Sequence, residues 1–369
     1  MVCEDAVSAS YGLAADEFFM DQYSEAGPGA TLRLYSYRDH CALVGRFQHI
    51  SAELDLDACK SAGIEYGRRL TGGGAIIMGG EQLGVCLAAH SSSFEWGTIR
   101  DLCALMAQPI IQALRTLGVE ASFRAKNDLE VNGKKIAGQG VYVNPQGAFH
   151  FHASLLADLD IEKMLSVLQI PVQKFAGKQR IHSVEQRITT LSRELERKVT
   201  VEELRPLLKA SFEAHFGISL ENQAVSPEEK RHIERLEDDR YRSEEWLFQN
   251  SPQPDMTGMS LKKTGAGLLR TYIGLKGETI KSVLITGDFL EDAGVLSRIE
   301  AQLKWSPLDK DLIAQAVDRV FSKDNSGFAI APEEVTEAIW MAGQRALAAN
   351  RYTYQGSCYY PEEVEKLKS

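Results

Sequence analysis

The segment RRLTGGGAIIM, residues 68–78, sets three consecutive glycines between a pair of arginines and an apolar run. Glycine has no Cβ, so main chain built from it reaches positive φ angles and lets a ligand approach closely. The nearby stretches CALVGR and AIIM have the composition of short buried strands. The chain must therefore form a sharp turn of bare backbone beside a sheet.

This glycine run has two interpretations. Successive N–H groups in such a turn cradle an anion, and Arg68 and Arg69 would add charged donors for a phosphate. The alternative is a tight turn between two strands with no ligand. The run is neither a Walker A loop nor a dinucleotide fingerprint, because no GK[ST] follows and the next segment is an apolar strand rather than a helix.

The first 220 residues alternate between strand-like and helix-like segments. TIRDLCALMAQPIIQALRTLG has helical periodicity, with Pro109 as the expected kink or break. DLEVNGKKIAGQGVYV predicts a β-hairpin, because Asn132-Gly133 is a strong tight-turn signal between strand formers. Further helices are predicted at DIEKMLSVL and TVEELRPLLKASFEAHFG. The pattern is that of an α/β (α+β) domain.

The character of the chain changes after about residue 225. SPEEKRHIERLEDDRYRSEEW carries charges of both signs and predicts a solvated helix and linker. NSPQPDMTG is rich in turn formers and indicates a domain boundary. A second hairpin and three helices are predicted beyond it. We therefore expect a large domain over 1–250 and a small α+β domain over 258–369.

Composition excludes several classes of protein. The 369 residues carry a formal net charge of -10, whereas nucleic-acid-binding domains usually have a basic excess. No secretory signal is evident at the start, and no run of about 18 apolar residues suggests a membrane span. None of the six cysteines lies in a CxxC pair. We expect reduced thiols in a cytoplasmic protein.

Two further stretches hold candidate chemistry. On a strand, Lys134 and Lys135 point to opposite faces, which would set Lys135 away from the core with Ala137 and Gln139. Lys135 is then either a cleft lysine that neutralises developing negative charge or a solvated hairpin residue. AFHFHASLL puts His150 and His152 on one strand face, as a pocket pair or, with an unidentified third ligand, a metal site.

Taken in order, these stretches resemble the lipoate–protein ligase A family of the biotin/lipoate ligase superfamily. RRLTGGGAIIM is similar to the family's RRxSGGGAVxH motif, and KNDLEVNGKKIAGQG to its RNDLxVxGxKxSGSA motif. HFHASLL resembles HHGTLL, and AGKQRIHSVEQRITTL resembles KGxxSVRSRVTNL. LVGRFQH and YRSEEWLFQNSPQPDM resemble family segments, and TYIGLKGETIKSVLITGDFL resembles the start of its accessory domain.

The resemblance implies a large biotin/lipoate-ligase-like catalytic domain, with mixed sheets and flanking helices, followed by the small accessory domain. It also implies a two-step reaction: lipoate and ATP, with Mg²⁺, give lipoyl-AMP and pyrophosphate, and the lipoyl group then passes to a lysine of an acceptor protein. The base for that lysine is not identified. Expected acceptors are the lipoyl domain of a 2-oxoacid dehydrogenase E2, the glycine-cleavage H protein or a specialised lipoyl carrier, and we expect a monomer.

The resemblance assigns roles residue by residue. Lys135 matches the family's essential lysine and is the expected catalytic residue. The residues expected to bind the substrate or the adenylate are Arg69, Thr71, Gly72, Gly73, Gly74, Ala75, Met78, Asn127, Asp128, Gly138, His152, Ser154, Lys178 and Ser183.

The chain departs from the family pattern at several of these positions. Met78 replaces the histidine that ends RRxSGGGAVxH, Phe151 replaces the first histidine of HHGTLL, and Gly138-Gln139-Gly140 replaces GSA. These changes fall on the expected acyl pocket and adenylate site. They leave open whether the acyl substrate is lipoate, octanoate or another chain.

Three alternatives follow. The first is an ATP-independent octanoyl or lipoyl transferase with a cysteine nucleophile. Some superfamily members have that cysteine just upstream of the NGKK-like motif, where this chain reads ASFRAKND, so Cys86 is the nearest candidate. The second is a biotin ligase, which the motifs disfavour. The third is a non-catalytic module that binds lipoyl proteins.

Overall fold

The computed structural model describes residues 1–25, 27–124, 127–169, 185–290, 294–323 and 328–351. The chain divides into two compact units, Met1–Gln249 and Asn250–Ser369. Both combine helices with sheets, and the α/β class predicted from the sequence is confirmed. No helix in the described ranges is both long and apolar enough to cross a membrane.

The first unit contains ten strands and nine α-helices within its described residues. The strands are β1 (Val2–Val7), β2 (Ala30–Tyr37), β3 (Cys41–Val44), β4 (Glu65–Arg68), β5 (Ile76–Met78), β6 (Gln82–His90), β7 (Ser122–Phe123), β8 (Asp128–Val131), β9 (Lys134–Val143) and β10 (Ala148–Leu156). The α-helices are α1 (Ala9–Asp21), α2 (Ile50–Glu53), α3 (Leu56–Ser61), α4 (Ile99–Thr116), α5 (Ile161–Val167), α6 (Leu191–Glu194), α7 (Val201–Phe216), α8 (Pro227–Leu236) and α9 (Glu244–Leu247).

Two sheets build this unit. The larger has seven strands in the order β1-β2-β6-β10-β9-β8-β7, and the smaller has the order β4-β3-β5. In the larger sheet β1 pairs with β2 in parallel and the other pairs are antiparallel. Helices α4 and α7 cover one face, where Phe149 and Phe151 are fully buried, and α1 packs on the other, against Cys86 and Ala88. Burial on both faces explains why β6 has no exposed residue.

Pro109 neither breaks nor ends a helix, contrary to the break considered from the sequence. Helix α4 continues through it from Ile99 to Thr116. The Pro109 carbonyl accepts a 2.6 Å hydrogen bond from the Ser211 hydroxyl of α7. Packing between the two helices therefore offsets the cost of the lost main-chain bond.

The predicted hairpin is confirmed. Asn132 and Gly133 have φ angles of +52° and +77°, and both angles are those of a type I′ turn. The turn connects β8 to β9 and sets Lys134 opposite Val131. It thereby fixes where the lysine pair enters the sheet.

The charged run after residue 225 is more than the solvated helix and linker predicted from its composition. Helix α8 is followed by a π-helical turn over Glu237–Tyr241. Arg240 forms an ion pair with Glu17 of α1, and the Tyr241 hydroxyl donates to the same carboxylate at 2.7 Å. Because Tyr241 and Glu237 are buried, this segment belongs to the fold of the first unit.

The second unit is a three-stranded antiparallel sheet with three helices among its described residues. Its elements are β11 (Gly258–Lys263), β12 (Leu268–Lys276), β13 (Thr279–Gly287), α10 (Gly294–Leu303), α11 (Lys310–Phe321) and α12 (Pro332–Arg351). Helix α12 packs closely on β11, since a Cβ on Gly258 would lie 2.2 Å from the Ala342 carbonyl oxygen. The predicted second hairpin and helices are confirmed.

A buried carboxyl makes the stability of this unit depend on pH. Burial raises the pKa of Glu300 to about 7, and its Oε1 accepts a 2.6 Å bond from the Ile285 N–H. The fold favours the neutral form of the Glu300 carboxyl. Its contribution to the free energy of unfolding is therefore complete below the unfolded pKa of about 4.5 and is lost as the pH rises through about 7. Glu300→Gln keeps an acceptor for Ile285 and cannot ionise. We expect it to gain up to about 3 kcal/mol over the wild type between about pH 5 and about pH 8.

Denaturant unfolding at the two pH values measures this gain. Glu278→Gln is the matched control, because Glu278 is exposed. If the free energy of unfolding changes with pH equally in Glu300→Gln and Glu278→Gln, burial does not raise the pKa of Glu300.

Candidate active site

The triple-glycine segment forms a turn packed against the loop that follows β3. The Arg46 N–H donates to the Thr71 carbonyl at 2.9 Å. Gly73 has a φ angle of +96°, which a residue with a Cβ rarely adopts. A Cβ on Gly45 would lie 2.1 Å from the Gly73 carbonyl oxygen. The tight turn between two strands that the sequence allowed is therefore present, with Gly45 and Gly73 in close backbone contact.

The Arg69 side chain holds the carbonyl side of this turn. Its buried guanidinium donates to the carbonyls of Leu43 at 2.7 Å, Gly72 at 3.3 Å and Gly74 at 3.0 Å. Within the described part of the chain, the N–H groups of Gly72, Gly73 and Gly74 donate no hydrogen bond. The Gly72 and Gly74 carbonyls are thus occupied by Arg69 while these three N–H groups are unpaired among the described residues, an arrangement that suits an anion.

The Arg68 side chain is also directed at main chain. It is fully buried and donates to the carbonyls of Gly45 at 3.1 Å, Gln48 at 2.7 Å and Leu247 at 2.6 Å. The sequence suggested Arg68 as a donor to a phosphate. In the structure its guanidinium is instead enclosed by main-chain carbonyls.

Neither arginine pairs with a carboxylate among the described residues. Burial, followed by the charge of Arg69, lowers the pKa of Arg68 to about 10, and burial lowers that of Arg69 to about 10. Both guanidinium groups remain cations at neutral pH. The glycine turn therefore lies beside two positive charges that no described acidic group neutralises.

The predicted environment of Lys135, on one face with Ala137 and Gln139, is wrong. A β-bulge interrupts the pairing of β8 with β9 next to Lys135 and resets the alternation of side chains. Ala137 lies in the core and Gln139 is 3% exposed. The Lys135 amine instead lies against Gly138, where a Cβ would be 2.8 Å from Nζ.

Lys135 is paired with an acidic partner at the edge of the site. Its Nζ lies 2.8 Å from Asp128 Oδ1, and each side chain is about one-third exposed, 31% and 33%. The Ser154 hydroxyl, on the neighbouring strand, donates to the Gly138 carbonyl at 3.4 Å. The amine is therefore oriented by Asp128 while remaining accessible to a ligand.

Asn127 fixes the backbone beside this pair. Its Nδ2 donates to the Gln139 carbonyl at 2.6 Å, and the Gln139 N–H donates to the Asn127 carbonyl at 2.9 Å. Both bonds join the start of β8 to the middle of β9. Asn127 therefore helps to set the position from which Asp128 reaches Lys135.

His152 connects β10 to the glycine turn. Its Nε2 lies 3.1 Å from Thr71 Oγ1, and a Cβ on Gly140 would lie 2.5 Å from that same nitrogen. Burial, then the neighbouring charge of Arg69, lowers the pKa of His152 well below its ordinary value. The imidazole is therefore neutral at neutral pH and forms a hydrogen bond with the Thr71 hydroxyl.

Strand β9 brings the lysine and the turn to one place. Gly138 contacts Lys135, and Gly140 contacts both Thr71 and His152. Two residues along a strand span about 7 Å. The Lys135 amine, the His152 imidazole and Thr71, which begins the glycine turn, therefore lie on the same face of β9.

The two predicted strand histidines do share a face. Their ring centroids are 6.1 Å apart, and His150 is 4% exposed. Among the described residues no group of three His, Cys, Asp or Glu side chains is arranged to hold a metal ion. The described residues therefore supply no third ligand for a His150–His152 metal site.

The end of the AGKQRIHSVEQRITTL segment runs beside Lys135. The Lys135 N–H donates to the Arg187 carbonyl at 2.8 Å, and the Thr189 N–H donates to the Lys135 carbonyl at 2.9 Å. Lys178 and Ser183, two of the residues expected to bind the adenylate, lie outside the described residues.

Comparison with protein families identifies the family to which this chain belongs. Residues 8–213, more than half of the chain, match the model described as "Lipoyl protein ligase A/B catalytic domain". The chain belongs to this lipoyl protein ligase A/B family. Residues 253–339 match the model described as "Bacterial lipoate protein ligase C-terminus". The family resemblance inferred from the sequence is confirmed in both units.

Relatives in this lipoyl protein ligase A/B family include ligases and transferases. The chain is 27% identical over 263 residues to octanoyltransferase LipM of Geobacillus kaustophilus, covering 65% of this chain and 94% of LipM. It is also 27% identical over 286 residues to lipoate-protein ligase LplJ of Bacillus subtilis, covering 77% and 84%. The protein is thus an enzyme of the lipoate ligase and transferase family.

Solved structures of lipoate ligases share the fold. A bipartite lipoate protein ligase of Thermoplasma acidophilum, studied with its E2 lipoyl domain, is 26% identical with a TM-score of 0.61, covering 68% of this chain and 97% of that chain. A lipoate-protein ligase A bound with ATP is 25% identical with a TM-score of 0.56, covering 67% and 98%. P. falciparum LipL1 in complex with lipoate, 17% identical with a TM-score of 0.72, covers 92% and 98%.

Two of the residues expected to bind the substrate or the adenylate lie just beyond the turn. Met78, in the position of the family histidine, is 3% exposed and packs in the core with Tyr35 and Tyr37. Ala75 is half-buried at the end of the turn. The methionine thus extends the apolar core in place of a polar group.

Sequence reasoning did not single out Gly45. The signal was available, because a glycine between the strand CALV and a charged loop usually marks close backbone approach. The structure adds Gly45 to the glycines that shape the site.

A cleft of about 850 Å³ lies elsewhere in the first unit. Its lining residues are Gly27, Pro28, Gly29, Ala30, Leu87, Ser92, Ser93, Phe94, Phe216, Ile218, Ser219 and Leu220. None of them is titratable, and none belongs to the site around Lys135. The lining residues of this cleft therefore supply no acid, base or charged group for catalysis.

The thiol required by a transferase mechanism is not available at Cys86. Cys86 lies opposite His152 in the sheet but is fully buried. Burial, then the Asp16 carboxylate, raises its pKa well above the ordinary value, so the reactive thiolate is not formed. We expect Cys86→Ser to retain acyl transfer within about threefold, since no bond to sulfur is needed. Loss of transfer in this variant, with a wild-type thioester trapped by denaturation, would reverse that conclusion.

Proposed function

We propose that this enzyme activates lipoate with ATP and transfers the lipoyl group to a lysine of an acceptor protein. The observation that carries the proposal is that the Lys135 amine, His152 and Thr71, the first residue of the glycine turn, lie together against β9. An acyl-adenylate presents an acyl oxygen and a phosphate to such donors. No nucleophilic side chain is required.

Both steps develop negative charge that these groups stabilise. In the first, a lipoate carboxylate oxygen attacks the α-phosphorus of ATP, and the bond to pyrophosphate breaks. In the second, the acceptor amine attacks the acyl carbon, an amide bond forms and AMP leaves. Lys135 and the N–H groups of Gly72, Gly73 and Gly74 would lie against the acyl oxygen and the α-phosphate, as fixed charge and dipoles.

The other residues have supporting roles in this proposal. Asp128 orients the Lys135 amine, and Asn127 holds the strand beside it. His152 and Thr71 form a neutral wall for the acyl chain. Arg69 acts on the adenylate through the turn that it shapes.

Ser154, Ala75 and Met78 complete the acyl side of the proposed site. Ser154 lies beside Gly138, at the level of the Lys135 amine. Met78 is polarisable and apolar, and it suits a chain that ends in a dithiolane. Lys178 and Ser183 remain expected adenylate ligands from the sequence resemblance.

ATP is the proposed co-substrate. A solved relative of 25% identity is a lipoate-protein ligase A bound with ATP. Mg²⁺ would enter as the counter-ion of the triphosphate, which usually supplies part of its ligand shell together with one or two carboxylates. Asp128 is a described carboxylate at the proposed phosphate end of the site.

The proposed acceptor is a lipoyl domain or a related carrier. The Thermoplasma ligase of similar fold was solved together with its E2 lipoyl domain. A glycine-cleavage H protein or a specialised lipoyl carrier has the same chemistry, a protein lysine that receives the acyl group. The protein would act as a monomer in the reducing cytoplasm, where the free cysteines of the described residues would stay reduced.

An ATP-independent octanoyltransferase is the second candidate, because several similar relatives are named octanoyltransferase LipM. The enclosed thiol of Cys86 weighs against it. Offering each acceptor with lipoate or octanoate, with and without ATP, separates the candidates. AMP and pyrophosphate release together with an acyl mass shift on the acceptor supports the ligase. A mass shift from an octanoyl carrier without ATP supports the transferase, and no shift under any condition supports a binding module.

A further inference from the structure

The segment YRSEEWLFQNSPQPDM has no part in the chemistry proposed above, yet it is hydrogen-bonded to Arg68. Arg68 Nε donates to the carbonyls of Trp246 at 2.9 Å and Leu247 at 3.1 Å, and Nη2 donates to Leu247 at 2.6 Å. In return, the Trp246 indole N–H donates to the Arg68 carbonyl at 3.0 Å. These contacts join residues 178 and 179 positions apart in the chain.

The same guanidinium holds the loop on which the glycine turn rests. Arg68 Nη1 donates to the carbonyls of Gly45 at 3.1 Å, Arg46 at 3.0 Å and Gln48 at 2.7 Å. Gly45 in turn lies against the Gly73 carbonyl, where a Cβ would be 2.1 Å away. A shift of Arg68 would therefore move the loop and, through it, the turn.

Burying this charge is costly unless its donors are satisfied. Arg68 is fully buried, and every partner given above is a main-chain carbonyl. The planar five-donor fork of arginine can span several segments in a fixed geometry, whereas the single ammonium of lysine cannot. The arrangement is suited to holding backbone in place.

We propose that Arg68 is a positioning residue for the glycine turn, and that Trp246 and Leu247 set its orientation. Arg68 acts on the acyl-adenylate through Gly45 and Gly73 and does not contact it. This inference rests on the proposed function for its catalytic consequence. Its structural consequence, the order of the turn, is independent of any ligand.

Trp246→Phe tests the proposal, because it removes the indole N–H and retains an aromatic ring. Trp96→Phe is the matched control, since Trp96 also donates one indole N–H to a carbonyl, that of Ser91 at 3.2 Å, and lies outside the site. We expect Trp246→Phe to weaken binding of a non-hydrolysable lipoyl-adenylate analogue about tenfold, well below the unfolding temperature. The control should bind as the wild type does.

Amide hydrogen exchange over residues 70–76 of the unliganded protein gives a second readout. We expect faster exchange there in Trp246→Phe and no change in Trp96→Phe. Arg68→Lys keeps the cation but loses the fork, and it should show both effects more strongly. Equal analogue affinity and equal exchange in the two tryptophan variants would overturn the proposal.

The two proposals fail in different ways. If the wild type neither binds the analogue nor forms an adenylate, the proposed function fails, and the exchange result still decides whether Arg68 orders the turn. If the wild type is active and Trp246→Phe behaves as Trp96→Phe, only the positioning role is lost.

Discussion

Lys135→Ala is expected to lower the rate of lipoyl-adenylate formation by about 100- to 1,000-fold, the usual cost of removing one preorganised donor to a developing negative charge. The amine is held 2.8 Å from Asp128 at the edge of the site. Its pair with Asp128 is about one-third exposed, so the loss should change stability little. Lipoate-dependent pyrophosphate release measures the first effect, and thermal unfolding the second.

Lys134→Ala is the matched control for this variant. Lys134 is the adjacent residue of the same hairpin, and it forms no ion pair within the described residues. We expect its activity to remain within about twofold of the wild type. Strong inhibition by Lys134→Ala together with a mild effect of Lys135→Ala would show that the bulge in β9 presents the other lysine to the site.

Gly45→Ala is expected to reduce adenylate formation by about 100-fold, because a displacement of about 1 Å in a positioning element has this effect. The added Cβ would lie 2.1 Å from the Gly73 carbonyl oxygen and 3.1 Å from the Gly72 carbonyl carbon. Those atoms are backbone and cannot rotate away. The glycine turn must shift, and its N–H groups move with it.

Gly27→Ala controls for the general cost of adding a methyl group, since a Cβ there would meet nothing within 4 Å. We expect wild-type kinetics from this control. The Gly45→Ala protein should remain folded by circular dichroism, with its defect confined to adenylate formation and analogue binding. Wild-type turnover in folded Gly45→Ala would mean that the turn tolerates displacement, and the role given to its N–H groups would be lost.

Much of the fold could be predicted because its signals are local. Asn132-Gly133 specifies a two-residue turn by its tolerance of positive φ, and the glycine run indicates a tight turn between two strands. Helices α3 and α7 end near Gly63 and Gly217, both with a φ angle of +64°. Such features depend on a few adjacent residues.

The environment of Lys135 could not be predicted from strand alternation. One bulge next to it reverses the parity of the strand, and nothing in KKIAGQG specifies a bulge. The resemblance to a known family singles out Lys135 as the residue to test, whereas the assumption of a regular strand assigned it the wrong neighbours. One extra residue in the strand places the side chains that follow it on the opposite face from the one that regular alternation predicts.

The arginine pair shows a second limit. From sequence, two adjacent arginines beside glycines predict phosphate donors. In the fold, Arg68 and Arg69 bind carbonyls, including one from Leu247 that is 179 positions distant. Partners so far along the chain leave no trace in local composition. The role of a buried guanidinium therefore required the tertiary structure.

The most direct test of the account is a crystal structure of the protein with a non-hydrolysable lipoyl-adenylate analogue. The account predicts the acyl oxygen or the α-phosphate within hydrogen-bonding distance of Lys135 Nζ and of at least one N–H from Gly72, Gly73 or Gly74, with Arg68 still enclosed by carbonyls. An analogue bound elsewhere, or a Lys135 side chain directed into solvent while the analogue is in place, would contradict it.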